Sequence, residues 1–136
     1  TVATLTNAMD ISQPNNFPRV LEMERNHGLD LRKLLTSFAI NDAQTRDAVS
    51  ALDRQGYLAD PHSALAWRAL ANALGPGETG VFLCTAHPAK FAEVIEQAIG
   101  HEVPLPPALE KVRDRKVLSS VIPPDFEALR AELVRG

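Results

Sequence analysis

Apolar residues recur at helical spacing over most of the chain, broken by polar turns and by two short stretches that favour strands. The first stretch, residues 1–9, is rich in Thr, Val and Leu. It runs into a polar loop, residues 10–16. Asn16 with Pro18 close behind predicts a helix start: a side-chain cap, then a ring where the missing N–H costs little. That helix carries Val20, Leu21 and Met23 and fades at His27-Gly28. Leu31, Leu34 and Leu35 share one face of a short helical stretch over 29–35. Asp42 is expected to cap the next helix, with Ala48, Val49 and Leu52 as its apolar stripe and Gly56 as its stop. Asp60-Pro61 opens another, in which Ala64, Leu65, Trp67, Ala69, Leu70, Ala73 and Leu74 are apolar nearly all round, a pattern that predicts burial.

The second strand-like stretch, Val81-Phe82-Leu83-Cys84, is an unbroken apolar run bounded by Gly80. Central parallel strands look like this when helices cover both faces. It leads through Thr85-Ala86-His87-Pro88 into a helix bearing Phe91, Val94, Ile95, Ala98 and Ile99, closed by Gly100. A Pro-rich connector (Pro104, Pro106, Pro107), a charged helical piece over 109–115 and an amphipathic helix over 125–134 complete a helical tail, residues 101–136. Two strands, each followed by a polar turn and a helix, read as a helix-rich α/β arrangement. They are too few for a free-standing doubly wound sheet, where about 5–6 strands are usual. Either further strands lie unrecognised in this chain, or the rest of the sheet lies in sequence outside it. Ligands in such sheets bind beyond the carboxyl ends of the strands, so chemistry is expected over 10–19 and 85–90.

Composition narrows the partners. An apolar fraction of 45% supports a packed core and argues against disorder. The net charge of −3 is spread without a basic run, which argues against nucleic acid. Cys84 is the single cysteine, so a disulfide framework is excluded and a cytoplasmic setting is expected. No apolar stretch approaches the ~20 residues that span a bilayer, so no membrane partner is expected.

Thr85 ends the apolar run with a hydroxyl that could meet a ring nitrogen, or could cap the following helix. Asn16 and Arg19 stand at a helix N-terminus attractive to anions. A cation in that first turn opposes the dipole; a bound phosphate or carboxylate would remove the conflict, or Arg19 pairs with Glu22 or Glu24 or extends into water. Asp60 and Pro61 are explained as cap and first helical residue, and His62 can serve a ligand or nothing. His62 and His87 lack a third ligand at metal-binding spacing, so a metal site is not expected. Cys84 reads as inert packing, and His27 and His101 as surface residues at helix ends. None of Lys33, Lys90, Lys111 and Lys116 lies in an apolar setting that would prepare it for Schiff-base chemistry.

Three segments occur in one order. They are Asn7-Ala8-Met9-Asp10-Ile11 with Asn15-Asn16-Phe17-Pro18-Arg19, then Gly56-Tyr57-Leu58-Ala59-Asp60-Pro61-His62-Ser63-Ala64, then Leu83-Cys84-Thr85-Ala86-His87-Pro88-Ala89-Lys90-Phe91. In these segments the chain resembles the C-terminal region of bacterial and fungal threonine synthases. The resemblance implies the tryptophan-synthase-β type of pyridoxal-phosphate fold. It also implies conversion of O-phospho-L-homoserine and water to L-threonine and phosphate, the last step of threonine biosynthesis. In that family the pyridine nitrogen faces a neutral side chain, and Thr85 matches the place. Asp60 and His62 match the segment lining cofactor and substrate, and Asn16 and Arg19 a segment near the substrate entrance. The Schiff-base lysine and the cofactor-phosphate loop belong to an upstream part, so the chain alone is expected to be inactive. A small helical, non-catalytic binding or regulatory module is the competing reading. It explains the amphipathic helices but not the Thr85-to-Phe91 run.

Overall fold

The computed structural model describes residues 1–7 and 10–135. The chain divides into two units, Thr1–Pro104 and Leu105–Gly136. The first unit holds α1 (Phe17–His27), α2 (Leu31–Leu34), α3 (Asp42–Arg54), α4 (Pro61–Ala73), a 3-10 turn (Pro88–Phe91) and α5 (Ala92–Ile99). The second holds α6 (Pro107–Glu110) and α7 (Phe126–Arg135).

The core of the first unit lies where α3 packs against α4 and α5. Ala48, Val49 and Leu52 of α3 meet Ala64 of α4, Phe91 of the turn, Ile95 of α5, and Ala59 and Val103 from the connections. Each large side chain removed from water here contributes about 1.5–3 kcal/mol. Helix α3 begins with a capping box. Gln44 donates its backbone N–H to the Asn41 side chain at 2.9 Å, and the Gln44 side chain accepts the Asn41 N–H at 3.0 Å. The cap is therefore Asn41, not the expected Asp42, which is the first helical residue and instead accepts the Leu5 N–H at 3.2 Å. Ser50 ties α3 to α5 by donating to the Ala98 carbonyl at 2.7 Å. Gly100 closes α5 at φ +78, a left-handed conformation that a side chain would oppose, and its N–H returns to Glu96 O at 2.8 Å.

His101 follows immediately and locks the ends of two helices together. Its Nε2 lies 3.0 Å from Asp53 Oδ2 and its Nδ1 3.3 Å from the Glu102 carbonyl. Only the imidazolium can donate from both nitrogens, so the Asp53 contact first, then the carbonyl, raises the His101 pKa above 6.5. A raised folded-state pKa stabilises the fold below pH 6.5, and that contribution is lost as pH rises through the folded value. The gap in urea midpoint between the chain and His101→Gln should therefore be widest below pH 6.5 and narrow as pH rises from there through the raised folded value. A pH-independent gap would show that the charge of His101 is irrelevant.

Neither expected strand forms among the described residues. In the first stretch, side-chain acceptors take the backbone groups a ladder would need. Asp10 accepts the Thr4 N–H at 3.1 Å and the Thr4 hydroxyl at 2.9 Å, while Asp42 takes the Leu5 N–H. Ala8 and Met9, the end of that expected strand, lie outside the described residues. Residues 81–84 have no adjoining strand among the described residues, and Val81 and Leu83 are 87% and 75% exposed. Helix α4 also departs from expectation. Ala64 is buried, but Leu65, Trp67, Ala69 and Leu70 are half-buried and Ala73 is exposed. Leu65 and Ala69 line a hollow with Phe38 and Ile40, and Trp67, Leu70 and Leu74 line another with Gly80 and Phe82.

In the second unit, the charged piece expected over 109–115 is helical only to Glu110, and Arg113 reaches back to Glu110 at 2.9 Å. Helix α7 starts from Asp125, whose carboxylate accepts the Glu127 N–H at 2.9 Å. No described helix is long and apolar enough to cross a membrane.

Candidate functional site

The fold lays the second and third sequence segments against each other. Tyr57 O–H and Cys84 Sγ are 3.0 Å apart, and the His62 and Phe91 ring centroids lie 5.1 Å apart at 56°. Cys84 is exposed rather than packed, contrary to expectation, because the run it ends has no adjoining strand. Its bond to Tyr57 is the largest cause raising the phenol pKa above 10.0, which favours the neutral hydroxyl.

Thr85 follows Cys84 and is exposed. Its hydroxyl makes no hydrogen bond among the described residues. The capping of the next turn falls to His87, whose Nδ1 accepts the Ala89 N–H at 3.1 Å. Thr85 is thus a neutral, uncommitted donor and acceptor at the open end of the segment.

Asp60 is 1% exposed at the start of α4. Its Oδ1 accepts the His62 N–H at 3.0 Å and the Ser63 N–H at 3.4 Å, and its Oδ2 takes the buried Ser63 hydroxyl. Oδ1 also lies 3.2 Å from His62 Nδ1. The sequence reading missed Ser63, although its place three residues after a capping Asp is the spacing at which cap partners meet. It missed the Tyr57–Cys84 contact as well, and no local signal marks a pair 27 residues apart.

Asn16 and Arg19 stand apart from this cluster, with no hydrogen bond or ion pair to it among the described residues. Asn16 makes no side-chain cap, and α1 has no acidic residue in its first turn. The carboxylates that Arg19 could have used are engaged elsewhere. Glu22 pairs with Arg25 at 3.4 Å, and Glu24 accepts the Leu31 N–H at 3.2 Å. Ser12, Pro14 and Phe17 line a hollow beside this helix start.

The architecture has clear relatives among solved structures. It matches threonine synthase from Escherichia coli with a TM-score of 0.89 and 46% identity, over 99% of this chain and 31% of that one. It matches the PLP-bound threonine synthase from Brucella melitensis with a TM-score of 0.74 and 27% identity, over 98% of this chain and 34% of that one. The fold is therefore the helix-rich portion of a larger pyridoxal-phosphate-enzyme architecture. Residues 63–132 match the family model "Threonine synthase, C-terminal". Threonine synthase from Haemophilus influenzae is 47% identical over 136 residues, 100% of this chain and 32% of that protein. The chain belongs to the threonine synthase family and spans about a third of the length of the relatives it matches.

Proposed function

We propose that the full-length protein carrying this chain converts O-phospho-L-homoserine and water to L-threonine and phosphate, as a cytoplasmic lyase that uses pyridoxal 5'-phosphate. The observation that supports this reading is alignment with threonine synthase along the whole chain, including the paired segments around Asp60 and Thr85. When bound, the cofactor supplies the electron sink for chemistry next to the amino group.

The residues present fit one wall of such a site. Thr85 presents a neutral hydroxyl to the pyridine nitrogen. Asp60 and His62 line the space next to it. Asn16 and Arg19, at the N-terminal end of α1, hold the substrate phosphate. The Schiff-base lysine lies outside these residues, in the remainder of the same enzyme, and the isolated chain is inactive.

The test is direct. Purified full-length protein supplied with cofactor and O-phospho-L-homoserine should release L-threonine and phosphate in equal amounts. A loaded protein that makes no threonine refutes the reading. In that protein Thr85→Ala should fold normally yet weaken cofactor binding by about fivefold, the equivalent of ~1 kcal/mol for one neutral hydrogen bond. Unchanged cofactor affinity and rate would remove Thr85 from the site. Arg19→Ala should raise KM for the phosphorylated substrate by about tenfold, as expected for a charge-assisted hydrogen bond worth ~1.5 kcal/mol. An unaltered KM means that Arg19 is a surface residue.

A further inference from the structure

We infer that His62 accepts a proton at Nε2 from an O–H group, a water or a hydroxyl, and that Asp60 is the residue that positions it to do so. The inference rests on the reading above that Asp60 and His62 belong to the wall of the site.

The tautomer of His62 follows from what surrounds Asp60. Oδ1 of Asp60 already accepts two backbone N–H groups, from His62 and Ser63. It is therefore an acceptor whichever way the carboxyl is protonated. His62 Nδ1, 3.2 Å from the same oxygen, must carry the hydrogen. A neutral imidazole with Nδ1–H has its lone pair on Nε2. That atom makes no hydrogen bond among the described residues, and the side chain is 34% exposed. Phe91 braces the ring from a second direction at 5.1 Å, and Phe91 is itself capped by Lys90, whose Nζ lies 5.5 Å from the ring centroid. His87 has the opposite arrangement, with Nδ1 accepting, and His101 has both nitrogens engaged. Among the described histidines, His62 alone bonds a buried carboxylate.

The step balances within the site. The proton passes from the O–H group to Nε2, and the O–H bonding pair stays on oxygen, which forms the new carbon–oxygen bond of L-threonine, while the substrate's carbon–oxygen bond to phosphate breaks with its electron pair leaving on phosphate. The imidazolium that results keeps Nδ1–H on Asp60, so the new positive charge forms beside a fixed carboxyl group. The proton leaves Nε2 for solvent or for the departing phosphate.

Two readouts test this in the full-length protein. The first is the ring 15N spectrum of histidine-labelled protein in mild alkali, with His62 identified as the resonance pair that His62→Gln removes. The expected result is a protonated Nδ1 and a bare Nε2, reverting to a solvent-like mixture in Asp60→Ser, which retains a capping hydroxyl. An Nε2–H tautomer in the unsubstituted protein overturns the positioning role of Asp60. The second is kinetics. His62→Gln should lower kcat by about a hundredfold with KM and the bound-cofactor absorbance unchanged. An unchanged kcat overturns proton acceptance. An unsubstituted holoprotein that makes no threonine would overturn the functional reading and the proton step together, whereas the nitrogen spectrum judges Asp60 independently of turnover.

Discussion

Ile95→Ala should destabilise the first unit by about 3 kcal/mol, within the 2–5 kcal/mol usual for such truncations in a core. Ile95 is 0% exposed and is the largest fully buried side chain among the described residues. It is buried with Val49, Leu52, Ala64, Phe91 and Val103, all of them components of one small core. Several of those partners are alanine or valine, too short to fill the space left behind, so the cavity term adds to the lost transfer energy. Against a total stability of about 5–15 kcal/mol, one truncation removes a large share. The urea midpoint should fall accordingly. Leu133→Ala on the exposed face of α7, where Leu133 is 74% exposed, should change stability by less than about 0.5 kcal/mol. Equal effects of the two substitutions would mean that the buried cluster is not where stability resides.

Asp60→Ala is the second large effect, expected at about 2–3 kcal/mol. Loss of an N-cap side chain alone costs about 1 kcal/mol. The remainder arises because Ser63, 1% exposed, has its hydroxyl and its N–H on Asp60 and would keep neither partner. Asp60→Asn should recover most of the loss. Its amide oxygen can accept the backbone N–H groups, and its NH2 can donate to the Ser63 hydroxyl, which rotates to accept. Thermal unfolding of the three proteins measures this. Equal destabilisation by Ala and Asn would show that charge, rather than capping and hydrogen-bond satisfaction, is what Asp60 provides.

The helices were legible in the sequence because their start and stop signals are local. Asp60-Pro61 and the glycines at 28, 56 and 100 act within one turn of where they stand. Ala48, Val49, Leu52 and Ile95 were legible for the same reason, since a stripe at helical spacing needs no partner to be recognised. The strands were not, because a strand is defined by its neighbour. Val81 and Leu83 have the composition for one but no ladder among the described residues, while Asp10 and Asp42 divert the backbone near Thr4 and Leu5. The site was legible in part. Asp60 as a cap follows from its sequence context, but Tyr57 against Cys84 and His62 against Phe91 depend on how α3, α4 and α5 pack. Family resemblance pointed to Thr85, and geometry adds that His87 does the local capping and leaves the Thr85 hydroxyl uncommitted.

The most direct measurement is borohydride reduction of the full-length holoprotein followed by peptide mapping. The reduced cofactor is expected on a lysine outside these 136 residues, with this chain contributing side chains to the site but no covalent anchor. Recovery of the label on Lys33, Lys90, Lys111 or Lys116 would contradict that division of labour.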